Sequence, residues 1–131
     1  MPAADTPFAY AILRVVPSVE RGEQLNAGVV LFCRQRDFLD LRAEVDERRL
    51  AALAPALDPD GVRSSLEAIR AVVGGEPAGG ALAALPPSER FGWAVAPAST
   101  IIQPSKVHTG LTQDPAATLE RLFDALVRPP G

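Results

Sequence analysis

Residues 27–33 read Ala-Gly-Val-Val-Leu-Phe-Cys, an uninterrupted apolar run that contains no polar side chain. The run is far shorter than the ~20 residues a membrane span needs. Its β-branched and aromatic content reads as a strand. A strand that is apolar throughout, rather than at alternate positions, must be buried on both faces. This requirement makes residues 27–33 the centre of a sheet. Its neighbours fit that place. Residues 8–16 are apolar and β-branched, with Arg14 as the one charge, and Pro17 stops them. After the polar turn Arg34-Gln35-Arg36-Asp37, Leu39, Leu41 and Ala43 alternate with Asp40 and Arg42, the pattern of a half-exposed strand. Three strands in succession predict an antiparallel meander.

The middle of the chain turns helical. Leu50, Leu53 and Leu57 share one face of a helix over 47–57, which Pro55 shortens or kinks. Asp58-Pro59 is a start signal, because Asp accepts a free backbone N–H and Pro suits the first helical position. Val62, Leu66, Ile69 and Val73 then recur at helical spacing until Gly74-Gly75. Residues 76–89, with Pro77, Gly79, Gly80, Pro86 and Pro87, read as a surface loop with a short turn around 81–85. Residues 91–95 and 100–103 read as two short strands. Asp114-Pro115 repeats the start signal, and Leu119, Leu122, Phe123 and Leu126 stripe a final helix. The expectation is a single α+β domain over 1–131, ordered over about 8–128. In it an antiparallel sheet of four to five strands packs against two or three helices, chiefly those near 60–74 and 114–128.

Composition removes several functions. A net charge of −3 gives no field that would draw in nucleic acid, and the aromatic residues do not interleave with basic ones. One cysteine and one histidine exclude an internal disulfide and the usual Cys/His zinc site. No metal or cofactor is expected. Gly74-Gly75 and Gly79-Gly80 follow or flank helices, whereas a nucleotide loop opens one after a strand. Cys33, at a strand end with no nearby His, reads as a buried inert thiol. The first residues lack a basic region followed by an apolar stretch, so the expected location is the cytoplasm, with no membrane contact.

Two segments and one residue carry polar groups that local structure does not require. The connection 17–26 contains Glu20, Arg21, Gly22, Glu23 and Asn26. Arg-Gly between acids can form an anion-facing loop, and the same residues fit a hairpin that Asn26 closes by bonding its own loop. Residues 99–110 gather Ser99, Gln103, Ser105, Lys106, the single His108 and Thr109. His108 suits a general base near neutral pH, or a structural histidine at a strand end. Arg14, in an apolar strand, needs a partner, either an acid such as Glu23 or a bound anion. Glu23 is expected to pair with Arg14 or Arg21. Gly28, among bulky residues, is expected to mark a bulge or a close approach by another element.

These motifs together resemble a known family. Tyr10, Leu13-Arg14-Val15-Val16-Pro17 and Arg21-Gly22-Glu23-Gln24-Leu25-Asn26-Ala27-Gly28-Val29-Val30-Leu31 are similar to the uncharacterised bacterial family catalogued as domain of unknown function 3037. Arg90-Phe91, Ser99, Val107-His108-Thr109-Gly110, Asp114-Pro115 and Leu122-Phe123 match its closing pattern. The resemblance implies no activity. It does imply a neighbourhood, because families of this type are often encoded beside HipA-like kinase-fold proteins.

Three readings follow from the sequence. The first is a small accessory or binding module, partner of a HipA-like kinase-fold protein. The second is a small enzyme or ligand-binding protein for an anionic phosphoester or nucleotide. There Arg14, Arg21, Asn26, Ser99, Lys106 and Thr109 would bind, and Glu23 and His108 would serve as acid and base. That reading requires segments 17–26 and 99–110 to meet at one concave site. The third is a self-associating structural module.

Overall fold

The computed structural model describes residues 4–98 and 100–129. The apolar run lies inside β2 (Glu23–Cys33), antiparallel between β1 (Thr6–Ser18) and β3 (Phe38–Ala43). Both of its faces are covered, by separate layers. On one face Leu25, Ala27 and Val30 join Ala11, Leu13, Val15 and Leu41 beneath Leu50, Val62, Leu66, Val73 and Phe91. These last residues come from α1 (Glu47–Leu53), α2 (Pro59–Val73) and α4 (Pro87–Ala94). On the opposite face Val29, Leu31 and Cys33 pack with Phe8 under Leu119, Phe123 and Val127, at and just beyond α5 (Pro115–Leu126). The result is an α+β fold, a five-stranded antiparallel sheet with helices on both sides.

The helix starts follow local chemistry. The Asp46, Asp58 and Asp114 carboxylates accept from Arg49 N at 3.1 Å, Asp60 N at 3.0 Å and Ala117 N at 3.2 Å. Pro59 and Pro115 stand at the first helical position, where the missing N–H has no intrahelical acceptor to lose. The helix expected over 47–57 stops at Leu53, ahead of Pro55.

Two expectations need correction. Residues 91–95 are not a strand but the end of α4, which begins at Pro87, together with its C-cap Val95. Phe91, Trp93 and Val95 alternate, yet Phe91 and Ala94 are the buried pair, three residues apart, and Trp93 is partly exposed. The Phe91 ring sits 5.4 Å from that of Phe32, so packing on the sheet fixes the helical phase. Residues 76–89 are more ordered than a surface loop. They form a 3₁₀ turn at Pro77–Gly79 and a single helical turn, α3 (Gly80–Ala83), before α4 begins.

The far edge of the sheet is one strand broken in two. β4 (Ile102–Pro104) pairs with β1 from Leu13 to Val15, and β5 (His108–Thr112) pairs with it from Thr6 to Tyr10. The register slips by one residue between them, at Pro104 to Val107. Ser105 bridges the break: its N–H donates to Ile12 O at 2.8 Å, and its hydroxyl accepts from Ile12 N at 2.9 Å. Ile12 therefore keeps both main-chain partners where the ladder is interrupted. The strand expected over 100–103 thus begins at Ile102, and part of segment 99–110 lies inside β5.

Gly28 meets both halves of its expectation. Leu13 faces Gly28 and Arg14 faces Asn26, which leaves Ala27 as the extra residue of a bulge. A Cβ at Gly28 would stand 3.1 Å from the Arg42 carbonyl oxygen and 3.4 Å from the Ala43 Cβ. The backbone of β3 cannot retreat without disturbing the ladder. Gly28→Val is therefore expected to cost about 1–3 kcal/mol by overpacking. Urea unfolding is expected to show a lower midpoint at an unchanged slope.

Candidate functional site

Side chains at alternate positions of β1 share a face, so Phe8, Tyr10, Ile12 and Arg14 all point to the α5 side. Arg14 is flanked by Asn26 on β2 and Gln103 on β4, and Tyr10 by Leu31 on β2 and His108 on β5. Segments 17–26 and 99–110 therefore meet, in part, across β1. They contribute Asn26, Gln103 and His108 to one face, with Arg14 and Tyr10 between them. α5 packs against β2 and β3. Towards β4 and β5 the same face carries the half-buried side chains of Tyr10, Arg14, Gln103 and His108.

Each of these side chains is held differently. The Tyr10 ring stacks on His108 at 5.2 Å and on Phe8 at 6.0 Å. The Phe8 ring in turn lies over Gly110, where a Cβ would come within 2.8 Å of it. The Gln103 amide donates to Thr100 O at 3.2 Å. Asn26 does not close its own loop, as the sequence reading expected. Its Nδ2 donates to Leu126 O at 3.0 Å, tying β2 to the last turn of α5 across 100 residues of chain. The carbonyls of a final helical turn lack intrahelical donors, and a half-buried strand amide beneath them is a ready partner. Arg14 has no hydrogen bond and no ion pair among the described residues, and its Nε is shielded from solvent.

The remaining candidate residues lie elsewhere. Arg21 Nε bonds Glu23 at 2.6 Å at the tip of the β1–β2 hairpin, with the Arg21 side chain 72% exposed. Lys106 and Thr109 are exposed, and Thr109, paired with Ala9, faces the other side of the sheet. Ser99 lies outside the described residues. Glu23 pairs across from Ser18 and His108 across from Tyr10. At ~3.3 Å per strand residue, the eight residues from Tyr10 to Ser18 set those two positions about 26 Å apart along β1. Cys33 is fully buried, its thiol 3.5 Å from Pro7 O.

Two concavities lie on the opposite side of the sheet. One, of about 540 Å³, is mostly apolar and runs between α2, α4 and β4. Leu13, Ile69, Trp93, Pro97 and Ile102 are among its lining residues. The sequence reading missed it, because Trp93 and Ile69 belong to helices whose mutual placement no local pattern carries. The other, of about 420 Å³, contains Arg63, Glu67 and Arg70, whose charges are already matched. Hydrogen bonds to Glu67 and then Glu76 raise the Arg70 pKa further, and the bond from Arg70 lowers that of Glu67. Among the described residues no three His, Cys, Asp or Glu side chains are grouped to hold a metal, and no helix is long and apolar enough to cross a membrane.

The Asn26 contact can be tested directly. Asn26→Ala removes one half-buried hydrogen bond and leaves the Leu126 carbonyl to the solvent. It is expected to cost about 1 kcal/mol. Amide exchange is expected to speed up in the last turn of α5 before any other element.

No curated protein and no solved structure matches this chain. Residues 10–127 match the family described as Protein of unknown function (DUF3037), a span running from the Tyr10 of the stacked pair to the residue that follows α5. Nearly the whole fold lies within that match, and the chain belongs to the DUF3037 family.

Proposed function

We propose that the protein is a small accessory module of the bacterial cytoplasm that binds a HipA-like kinase-fold protein through the apolar groove between α2, α4 and β4. The observation that carries this reading is the groove itself. At about 540 Å³ it is large enough to take apolar side chains of a partner, and it offers Trp93, 37% exposed, at its rim. Half-exposed tryptophans beside apolar depressions are the residues on which protein interfaces most often depend. The kinase-fold partner is the neighbour that the family resemblance implies.

Catalysis has less support. An acid and a base must both reach the reacting atoms, and Glu23 and His108 stand about 26 Å apart along the strand. Glu23 is moreover engaged by Arg21. The binding reading is tested by co-expressing the chain with the kinase-fold protein encoded beside it. The two are expected to co-elute, and Trp93→Ala is expected to weaken the complex by about 2 kcal/mol or more while the melting temperature stays unchanged. Separate elution with unaltered kinase activity would overturn the reading. So would a wild-type homodimer in light scattering that Trp93→Ala dissociates, since the groove would then serve self-association.

A further inference from the structure

Five arginines are half-buried: Arg14, Arg36, Arg42, Arg70 and Arg90. Four of them have polar partners. Arg36 bonds the Thr6 hydroxyl at 2.7 Å, Arg42 meets Glu120 at 2.8 Å, Arg70 is bidentate to Glu67 and Glu76, and Arg90 donates to Leu85 O at 3.0 Å. The Nε of Arg14, like those of Arg42 and Arg90, is shielded from solvent with no hydrogen bond, but among the described residues Arg14 alone of the five, on an inner strand, has no other polar partner. A half-buried guanidinium that the fold leaves unmatched is open to an anion. Its strand neighbours do not supply one. Asn26 and Gln103 are neutral, and each commits its amide donor to a main-chain carbonyl.

The surface leading to Arg14 is apolar. Along β1 the same face holds Ile12, itself buried, and then the half-buried Tyr10, with His108 stacked on the Tyr10 ring. Leu122 and Leu126 of α5 are partly buried in the cluster that includes Tyr10. From Tyr10 to Arg14 the strand covers about 13 Å. One guanidinium at the end of an apolar strip fits a ligand with one planar anionic head and an apolar body. We propose that this face binds an apolar carboxylate, its head on Arg14 and its body reaching towards the half-buried Tyr10–His108 pair. A single carboxylate matches a single guanidinium in charge and in its planar, two-pronged geometry. A phosphate dianion would call for a second cation, but Lys106 is exposed on the broken edge and Arg21 is paired with Glu23 at the hairpin tip. This site faces away from the groove proposed for the partner, so either can fail without the other.

The test uses the ¹⁵N-labelled full chain and follows the Arg14 Nε–H resonance during titration with sodium octanoate, octanol, sodium acetate and inorganic phosphate. Octanoate is expected to shift the Arg14 Nε–H and the Tyr10 ring signals together in one saturable transition. Acetate, which lacks the body, and octanol, which lacks the charge, are each expected to bind about tenfold or more weakly. Arg14→Gln is expected to weaken octanoate by a similar factor without moving the melting temperature. If that variant fails to fold, the wild-type titration decides alone. An Arg14 signal that octanoate leaves unmoved would overturn the proposal, as would equal binding of octanoate and octanol. A larger, saturable response to phosphate would overturn the carboxylate assignment.

Discussion

The structure depends on one constraint, that β2 is apolar on both faces. A strand with a single buried face needs one packing layer, and the chain could then have ended after α2. Because Val29, Leu31 and Cys33 point away from α2, a second layer must come from elsewhere in the chain, and α5 supplies it. The two sequence-distant helices are thus consequences of a single segment. Phe123 shows how closely the second layer is fitted. It is fully buried, and the guanidinium carbons of Arg42 and Arg128 lie 4.7 and 5.2 Å from its ring centroid. Those two cations cover the ring and also form ion pairs, Arg42 with Glu120 and Arg128 with Asp124.

Between α2 and α5 the chain must cross from one face of the sheet to the other, and the broken edge strand is how it does so. β4 follows the groove side, while β5 leads through Thr112 into the cap of α5. The Thr112 hydroxyl lies 2.6 Å from that of the buried Thr118 and accepts from Asp114 N at 3.0 Å, fixing the angle at which α5 leaves the sheet. The slip at Ser105 has a second effect. It sets His108, rather than Val107, opposite Tyr10. An unbroken ladder would have put the apolar Val107 beside Tyr10 and turned the imidazole to the other face.

What could be read in the sequence was whatever chemistry is local. The Asp-Pro starts at 58–59 and 114–115 succeed because a carboxylate and a fixed φ act within one turn. The meander is equally legible, since alternation or its absence is visible within each segment. Residues 91–95 misled because a five-residue window fits both periods, and only the contact of Phe91 with Phe32 decides between them. Asn26 misled for a related reason. Its identity announces a hydrogen bond, but the partner lies on α5, and a loop amide is equally able to bond its own backbone. For the candidate site, the sequence supplied the unusual residue, Arg14, and the two segments that flank it. It could not separate Arg21 and Glu23, which pair at the hairpin tip, from Asn26, a few residues further on, which returns to the sheet face.

Arg14 is also where local preference and global packing disagree most. Its strand is otherwise apolar, and an aliphatic residue there would extend the cluster that already holds Phe8 and Tyr10. The other four half-buried arginines are matched by groups brought to them by the fold, as Glu120 is brought to Arg42 by α5. Folding alone therefore does not account for a guanidinium at this position. A β-bulge at Ala27 on one side and a broken strand on the other both lie next to it. Bulges reorient side chains and are frequent beside binding sites. The two irregularities of the ladder thus converge on the one half-buried cation that, among the described residues, has no partner. The proposed carboxylate would supply the reason that packing does not.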